Sequence, residues 1–338
     1  MKRKRLLYVG NALSNKGKTV TTIETLSLLL RQEGYDVEVT STISNKLLRM
    51  LDMMRALLRS RKSVDTVFID TYSTSNFWYA VVIASLCRAF SIPYIPILHG
   101  GNLPERLINN KKACEKLFGK AAVNVAPSRY LYNAFAKAGF SNIKHIPNSI
   151  ELDNYPYKKR LVFKPNLLWV RSFVEIYNPL MAIKVLEKIL EKYPEATLTM
   201  VGPDKDGSIV LCEEYARKNS LPVHFTGRLS KEDWTTLAQD HDVFISTTNF
   251  DNTPVSVIEA MALGLPVVST NVGGMPYLIH DTVDGLLSAP ENVSAFSEKI
   301  SKLLENTAST KEIVLNARQK VESFDWSVVK EQWHKVLC

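Results

Sequence analysis

Short apolar runs alternate with longer amphipathic stretches along most of this chain. Leu6–Gly10, Val37–Thr40, Val64–Asp70, Ile92–Leu98, Val123–Ala126 and Ile143–Ile146 read as strands. Val20–Gln32, Asn45–Lys62, Asn76–Phe90, Pro104–Phe118 and Arg129–Ala138 lie between them, with apolar residues at helical spacing. Strands bracketed by helices predict a parallel sheet covered on both faces. The polar stretch Asn148–Pro165 carries Pro156 and Pro165 and little periodicity, and reads as a linker. The alternation then restarts. Strands are predicted at Leu167–Val170, Thr197–Val201, His224–Phe225 and Asp242–Ser246, and helices at Pro179–Lys192, Leu211–Asn219 and Lys231–Ala238. Two last helices follow, about Ser294–Glu305 and Trp326–Leu337. The pattern predicts two doubly wound α/β domains, residues 1–155 and 160–325, with the C-terminal helix 326–338 packing back on the first. Ligands of such sheets sit beyond the carboxyl ends of the strands, so two domains facing each other predict an interdomain cleft.

The densest stretch is Thr247–Ile279, TTNFDNTPVSVIEAMALGLPVVSTNVGGMPYLI. Thr253 suits a helix cap and Pro254 the first turn, with Val257, Ile258, Met261 and Ala262 as its apolar face. Gly264 and Pro266 stop the helix, Val267-Val268 reads as a buried strand, and Gly273-Gly274 permits a close backbone approach. The N–H groups of a helix start hold phosphate, and the carboxylates of Asp251 and Glu259 accept hydrogen bonds from sugar hydroxyls.

Charge adds an asymmetry. Residues 1–150 hold 22 Lys and Arg against 9 Asp and Glu, whereas the remainder holds 20 against 25. A basic half beside an acidic one points to an anionic partner: a membrane surface or a phospholipid-linked substrate, rather than nucleic acid, for which no binding motif is present. Cys87, Cys114, Cys212 and Cys338 lack metal-ligand spacing and fit a reducing cytoplasm. The apolar run after MKRKR is too short for a signal peptide, and Phe77–Leu98 is interrupted by Arg88, Pro93 and Pro96. A cytoplasmic chain is expected, peripheral at the inner face of a membrane at most. The helix Asn45–Lys62 has Arg49, Asp52, Arg55, Arg59 and Lys62 on one face and Leu47, Leu48, Leu51, Met54 and Leu58 as apolar surface. It reads as a packed crossover helix with a solvated basic face, or as a helix lying on an anionic bilayer.

Several side chains are candidates for chemistry. Ala12-Leu-Ser-Asn-Lys-Gly17-Lys18-Thr19 matches a loose phosphate-binding loop between a strand and a helix, and Asp70 imitates the strand aspartate that would hold Mg²⁺. The plainer reading is a glycine loop facing phosphate, with Lys18 adding charge. Asp204-Lys205-Asp206 imitates a metal-binding pair but sits before Gly207, as a solvated turn would. No carboxylate or histidine cluster calls for a metal. His99 ends a strand beside Gly100-Gly101 and is a cleft candidate. Arg171 follows the apolar strand LLWV, where a guanidinium clamps a diphosphate or makes a surface ion pair. The other histidines read as structural.

These residues resemble the family-4 glycosyltransferases with the GT-B fold, of the bacterial cell-surface polysaccharide type. The resemblance rests on VAPSRYLYNAFAKAGFSNIKHIPNSIEL from Val125, on Val201-Gly202 through HFTGRLSKEDWTTLAQDHDVFIS, and on EAMALGLPVVSTNVGGMPYLI from Glu259. It implies a GT-B fold of two Rossmann-like domains facing an interdomain cleft, and a retaining transfer of a hexosyl-type sugar without an obligatory metal or cofactor. The implied donor is a UDP-sugar or GDP-sugar, and the implied acceptor a saccharide or a lipid-linked saccharide. By motif, Glu259 matches the second acid of the Glu-x7-Glu pair and holds the ribose, while Asp251 stands at the first acid, which contacts the donor sugar. Gly17 matches the glycine loop, Arg171 the arginine of the phosphate clamp, and His99 the histidine near donor sugar and acceptor. Lys18, Thr253, Val255 and Ser256 complete the implied nucleotide-sugar site, Val255 and Ser256 through N–H groups that Pro254 lacks. Two departures stand out: the first acid is Asp, and Ile176 and Tyr177 occupy the places of the clamp lysine, for which Lys18 is the expected substitute. Alternative readings are a phosphate-loop nucleotidase, an inactive nucleotide-sugar-binding relative, and a related epimerase.

Overall fold

The computed structural model describes residues 3–13 and 21–338. The chain divides into two units, residues 1–148 with 330–338, and residues 149–329. The division falls at Asn148/Ser149 rather than near residue 155. The cause is that Ile150 and Tyr155 are buried in the second unit's core.

Unit 1 contains strands β1 (Arg5–Val9), β2 (Asp36–Thr40), β3 (Thr66–Thr71), β4 (Tyr94–Leu98), β5 (Asn124–Ala126) and β6 (Ile143–His145). All pair in parallel in the order β2-β1-β3-β4-β5-β6. Helices α1 (Thr22–Gln32), α2 (Lys46–Ser60), α3 (Phe77–Ala89), α4 (Leu103–Asn109), α5 (Lys111–Phe118) and α6 (Arg129–Lys137) connect them. The strands send alternate residues to opposite faces. Leu7, Val9, Val67 and Ile69 join a core with Met53, Leu57 and Phe77, whereas Phe68 meets the ring of Trp333 at 5.4 Å. The order turns back between β1 and β3, and this is the switch point at which such sheets open a crevice.

Two expectations change here. Pro104–Phe118 is two helices, broken at Asn110, whose backbone leaves the helical region. The polarity of α2 also differs. Arg49 is buried rather than solvated, donates to Ile43 O at 3.3 Å and to the Tyr79 hydroxyl at 3.4 Å, and lies 5.5 Å from the Tyr79 ring centroid. The inward face is Arg49, Met53, Ala56, Leu57 and Ser60, so Leu47, Leu48 and Leu51 stand 78%, 55% and 60% exposed.

Unit 2 contains strands β7 (Asn166–Val170), β8 (Thr197–Val201), β9 (Val223–Gly227), β10 (Val243–Ser246), β11 (Val267–Thr270) and β12 (Leu286–Ser288), parallel in the order β12-β11-β10-β7-β8-β9. Its helices are α7 (Pro179–Leu190), α8 (Ser208–Lys218), α9 (Lys231–Leu237), α10 (Val255–Ala262), α11 (Met275–Leu278), α12 (Val293–Glu305) and α13 (Thr307–Glu322). The last helix, α14 (Trp326–Leu337), begins in this unit, and its residues from Lys330 belong to unit 1. The switch point lies between β7 and β10. Each unit is thus one six-stranded parallel sheet flanked by helices, the α/β architecture expected of the two domains of a GT-B fold. The sixteen-residue helix α13 has no counterpart among the predicted elements. Its buried face is only Thr310, Ile313, Val314, Ala317 and Val321, while Leu315 is exposed, so the apolar period is blurred.

Candidate active site

The candidate residues of unit 2 gather at the carboxyl ends of β7 and β10. Arg171 directly follows β7, and its N–H donates to Val201 O at 3.0 Å. The next strand leaves room for it through Gly202, at φ 152°, where a Cβ would overlap the Arg171 carbonyl oxygen. The guanidinium pairs with Asp251 and lies 4.3 Å from the centroid of the Tyr177 ring. Burial works against the charge of Arg171, but the nearby Asp251, Tyr177 and Glu259 outweigh it and hold the guanidinium above its ordinary value. The side chains of Arg171 and Asp251 are 26% and 11% exposed, so the pair remains reachable.

The loop after β10 is braced from three sides. The Thr247 hydroxyl donates to Asn178 O at 2.9 Å, the Asn249 N–H to Ile176 O at 2.8 Å, and the Thr270 hydroxyl to Thr248 O at 2.5 Å. The Gly274 N–H donates to Asp251 O at 2.8 Å. Gly273 has φ 51°, and a Cβ on Gly274 would overlap the Asn252 carbonyl oxygen. The close approach expected of Gly273-Gly274 is therefore made to the backbone that carries Asp251. The segment Ile176-Tyr177, standing where a second clamp cation is expected, places an aromatic face on Arg171 instead. Tyr177 follows Arg171 by six residues in the segment between β7 and α7, so its contact is set by the path of that segment, which no apolar periodicity reports.

Helix α10 begins one residue later than expected. Pro254 is the extended residue before it, and no side chain caps it, so Thr253 is not the cap. Val255 and Ser256 are half-buried first-turn residues, and N–H groups in a first turn have no intrahelical acceptor. Glu259, one turn on, is 4% exposed. It accepts from the Tyr155 hydroxyl at 2.7 Å and pairs with Lys231. Burial, followed by the Glu259 charge, pushes the Tyr155 phenol far above its ordinary range, so it remains a donor. Neither Tyr155 nor Lys231 is singled out by the sequence: the first lies in the presumed linker, the second at the start of an ordinary helix. Asp204 and Asp206 accept backbone N–H groups of Gly207 at 3.1 Å and Glu175 at 2.8 Å, the work of a turn.

In unit 1, His99 follows β4, and its N–H donates to Thr71 O at 2.9 Å. Its ring Nε2 lies 2.8 Å from Asp70 Oδ1. Gly100 is needed beside it, since a Cβ there would fall 2.9 Å from the Ser73 Cβ and closer still to the Ser73 nitrogen. Asp70, read from the sequence as imitating a metal-holding aspartate, is thus the partner of His99. Gly17 and Lys18 lie outside the described residues.

Comparison with known proteins bears on this arrangement. Residues 158–320 match the family described as Glycosyl transferases group 1. The match lies within unit 2. The chain is similar to the sulfoquinovosyl transferase SQD2 of Arabidopsis thaliana, 29% identical over 182 residues, which cover 52% of this chain and 33% of that protein. It is also similar to the N,N'-diacetylbacillosaminyl-diphospho-undecaprenol alpha-1,3-N-acetylgalactosaminyltransferase of Campylobacter jejuni, 29% identical over 170 residues, covering 50% of this chain and 42% of that protein. The chain thus spans less than half the length of these relatives. Among solved structures, Anabaena Alr3699/HepE in complex with UDP-glucose shares the fold, with TM-score 0.74 at 20% identity over 98% of this chain and 99% of that one.

Proposed function

We propose that this protein transfers a hexosyl-type sugar from a UDP-sugar or GDP-sugar to a saccharide or lipid-linked saccharide, with retention at the anomeric carbon. The observation that carries this reading is the Arg171–Asp251 pair beside the start of α10, at the switch point of the group 1 domain. In the transfer, the bond between the anomeric carbon and the β-phosphate oxygen breaks, and the acceptor oxygen bonds that carbon from the same face. The acceptor proton passes to the departing phosphate. Arg171 and the N–H groups of Val255 and Ser256 take up the charge that develops on the diphosphate. Asp251, released when Arg171 turns to the phosphate, receives a donor-sugar hydroxyl. Glu259 accepts the ribose hydroxyls, and His99 meets the sugar. Thermal-shift screening of UDP- and GDP-sugars, followed by mass spectrometry of products, tests this. A sugar added to an acceptor supports transfer. Nucleotide hydrolysis alone favours the nucleotidase, and a changed nucleotide-sugar without acceptor favours the epimerase.

The cationic partners on the diphosphate come from the protein, so donor binding and transfer are expected to survive excess EDTA. Loss of both on chelation, restored by Mg²⁺ or Mn²⁺, would contradict the metal-independent reading.

The acceptor side is the basic unit 1, which fits a cytoplasmic protein peripheral to an anionic membrane. This is supported by α2, where exposed Leu47, Leu48 and Leu51 sit beside exposed Lys46 and Arg55, with Lys62 just beyond the helix. Among the described residues, no helix is long and apolar enough to cross a membrane. Each basic residue near an anionic surface contributes about 1 kcal/mol, and insertion of leucine side chains adds to it. Co-sedimentation with anionic vesicles is expected at low salt, weakening as salt rises and when Lys46, Arg55 and Lys62 become Gln or Leu47 and Leu51 become Ser. Absence of sedimentation at low salt removes the membrane from the account.

A further inference from the structure

A buried carboxylate stands behind His99. Asp70 lies in β3 at the switch point of the sheet of unit 1, with its side chain 0% exposed, whereas that of His99 is 10% exposed. Asp70 Oδ1 lies 2.8 Å from His99 Nε2 and accepts from the Tyr8 hydroxyl at 2.9 Å. Oδ2 accepts from the Tyr72 hydroxyl at 3.4 Å. Gly10 makes room for the carboxylate, because a Cβ there would lie 2.5 Å from Oδ2 and 2.9 Å from Cγ. Burial first, then the charge of Asp70, hold the phenols of Tyr8 and Tyr72 well above their ordinary value, so both are donors at neutral pH. Glu24 and Arg49 also act on Tyr72, in opposite senses. Among the described residues, no Lys or Arg forms an ion pair with Asp70, and His99's ring makes no other hydrogen bond.

An ionised carboxylate only accepts. The His99 nitrogen that faces it must then carry the hydrogen, and a neutral imidazole has one such hydrogen to place. We infer that Asp70 is the positioning residue of His99, holding its ring in the Nε2–H form so that Nδ1 accepts a hydrogen bond from a sugar hydroxyl. The sugar rests on the function proposed above; the tautomer does not. The arrangement also accounts for Gly10 and Tyr8 at the end of β1, which serve the carboxylate before any ligand arrives.

The test is a long-range proton–nitrogen spectrum of the full chain labelled with ¹⁵N-histidine, recorded without nucleotide at mildly alkaline pH, with the His99 signals identified by their loss in His99→Gln. A single Nε2–H pattern is expected. An Nδ1–H pattern, or a mixture of the two, overturns the inference whether or not the protein transfers sugar, so its failure is distinct from failure of the proposed function. Asp70→Asn is expected to mix the tautomers and lower kcat roughly 10- to 100-fold with little change in KM for the donor, and to add little in the His99→Gln background. An equal loss in both backgrounds shows that Asp70 does not act through His99. If Asp70→Asn does not fold, the spectrum of the unaltered chain still decides.

Discussion

Arg171→Ala is expected to lower sugar transfer by about 30- to 1000-fold, the equivalent of the roughly 2–4 kcal/mol that a preorganised charge-assisted contact contributes in a transition state. The expectation rests on position: one guanidinium at the end of β7, stacked on Tyr177, with no second cation at the Ile176-Tyr177 place. Lys18→Ala should do less. Arg171→Lys should not restore activity, because an ammonium reproduces neither the planar stack on Tyr177 nor two parallel hydrogen bonds to a diphosphate. Steady-state transfer assays of the three variants check this. If Lys18→Ala is the more damaging change, the clamp lies in unit 1 and the assignment of Arg171 is wrong. The ion pair with Asp251 adds a second consequence: Arg171→Ala leaves a carboxylate of 11% side-chain exposure without its cation, so unit 2 should also lose some stability in the absence of donor.

Gly274→Ala is expected to destabilise unit 2 by about 3 kcal/mol or more, since the added methyl must displace backbone rather than the end of a flexible side chain. Its collision partner is the Asn252 carbonyl, and the Gly274 N–H holds Asp251 O at 2.8 Å. The strain therefore falls on the loop that carries Asp251 to Arg171. For a unit of this size the thermal midpoint should fall by about 6–12 °C, with weaker donor binding in the protein that remains folded. Differential scanning calorimetry and donor titration measure both. An unchanged midpoint would mean that the Asn252 loop yields without cost, and that the glycine pair does not brace the site.

The positions of several candidate residues are legible in the sequence. Arg171 stands out because it follows a short apolar strand, and in parallel sheets the loops after strands form the ligand side, whereas Asp251 stands out as an acid beside a helix start. Glu259 was readable from its spacing to Asp251. Asn148–Pro165 reads as a linker because it is polar, but from Ser149 onward it belongs to unit 2, where the Tyr155 hydroxyl reaches a carboxylate 104 residues away. The helix α13 was missed because its apolar stripe is narrow and interrupted. Arg49 was misplaced because a guanidinium at a helical position reads as solvated, unless one knows that the Ile43 carbonyl and the Tyr79 ring wait for it.

By itself, the sequence determined the alternation of strands and helices, the two parallel sheets and the loops from which Arg171, Asp251 and His99 project. These depend on local periodicity and on turn residues, which act over a few positions. The tertiary structure decided the partners. Strand order sets β1 beside β3 and β3 beside β4, which brings Tyr8, Asp70 and His99 together. It likewise sets β7 beside β10, which brings Arg171 and Asp251 together. Such pairings depend on which strands become neighbours, a choice made by the packing of the whole sheet and absent from any short window of residues.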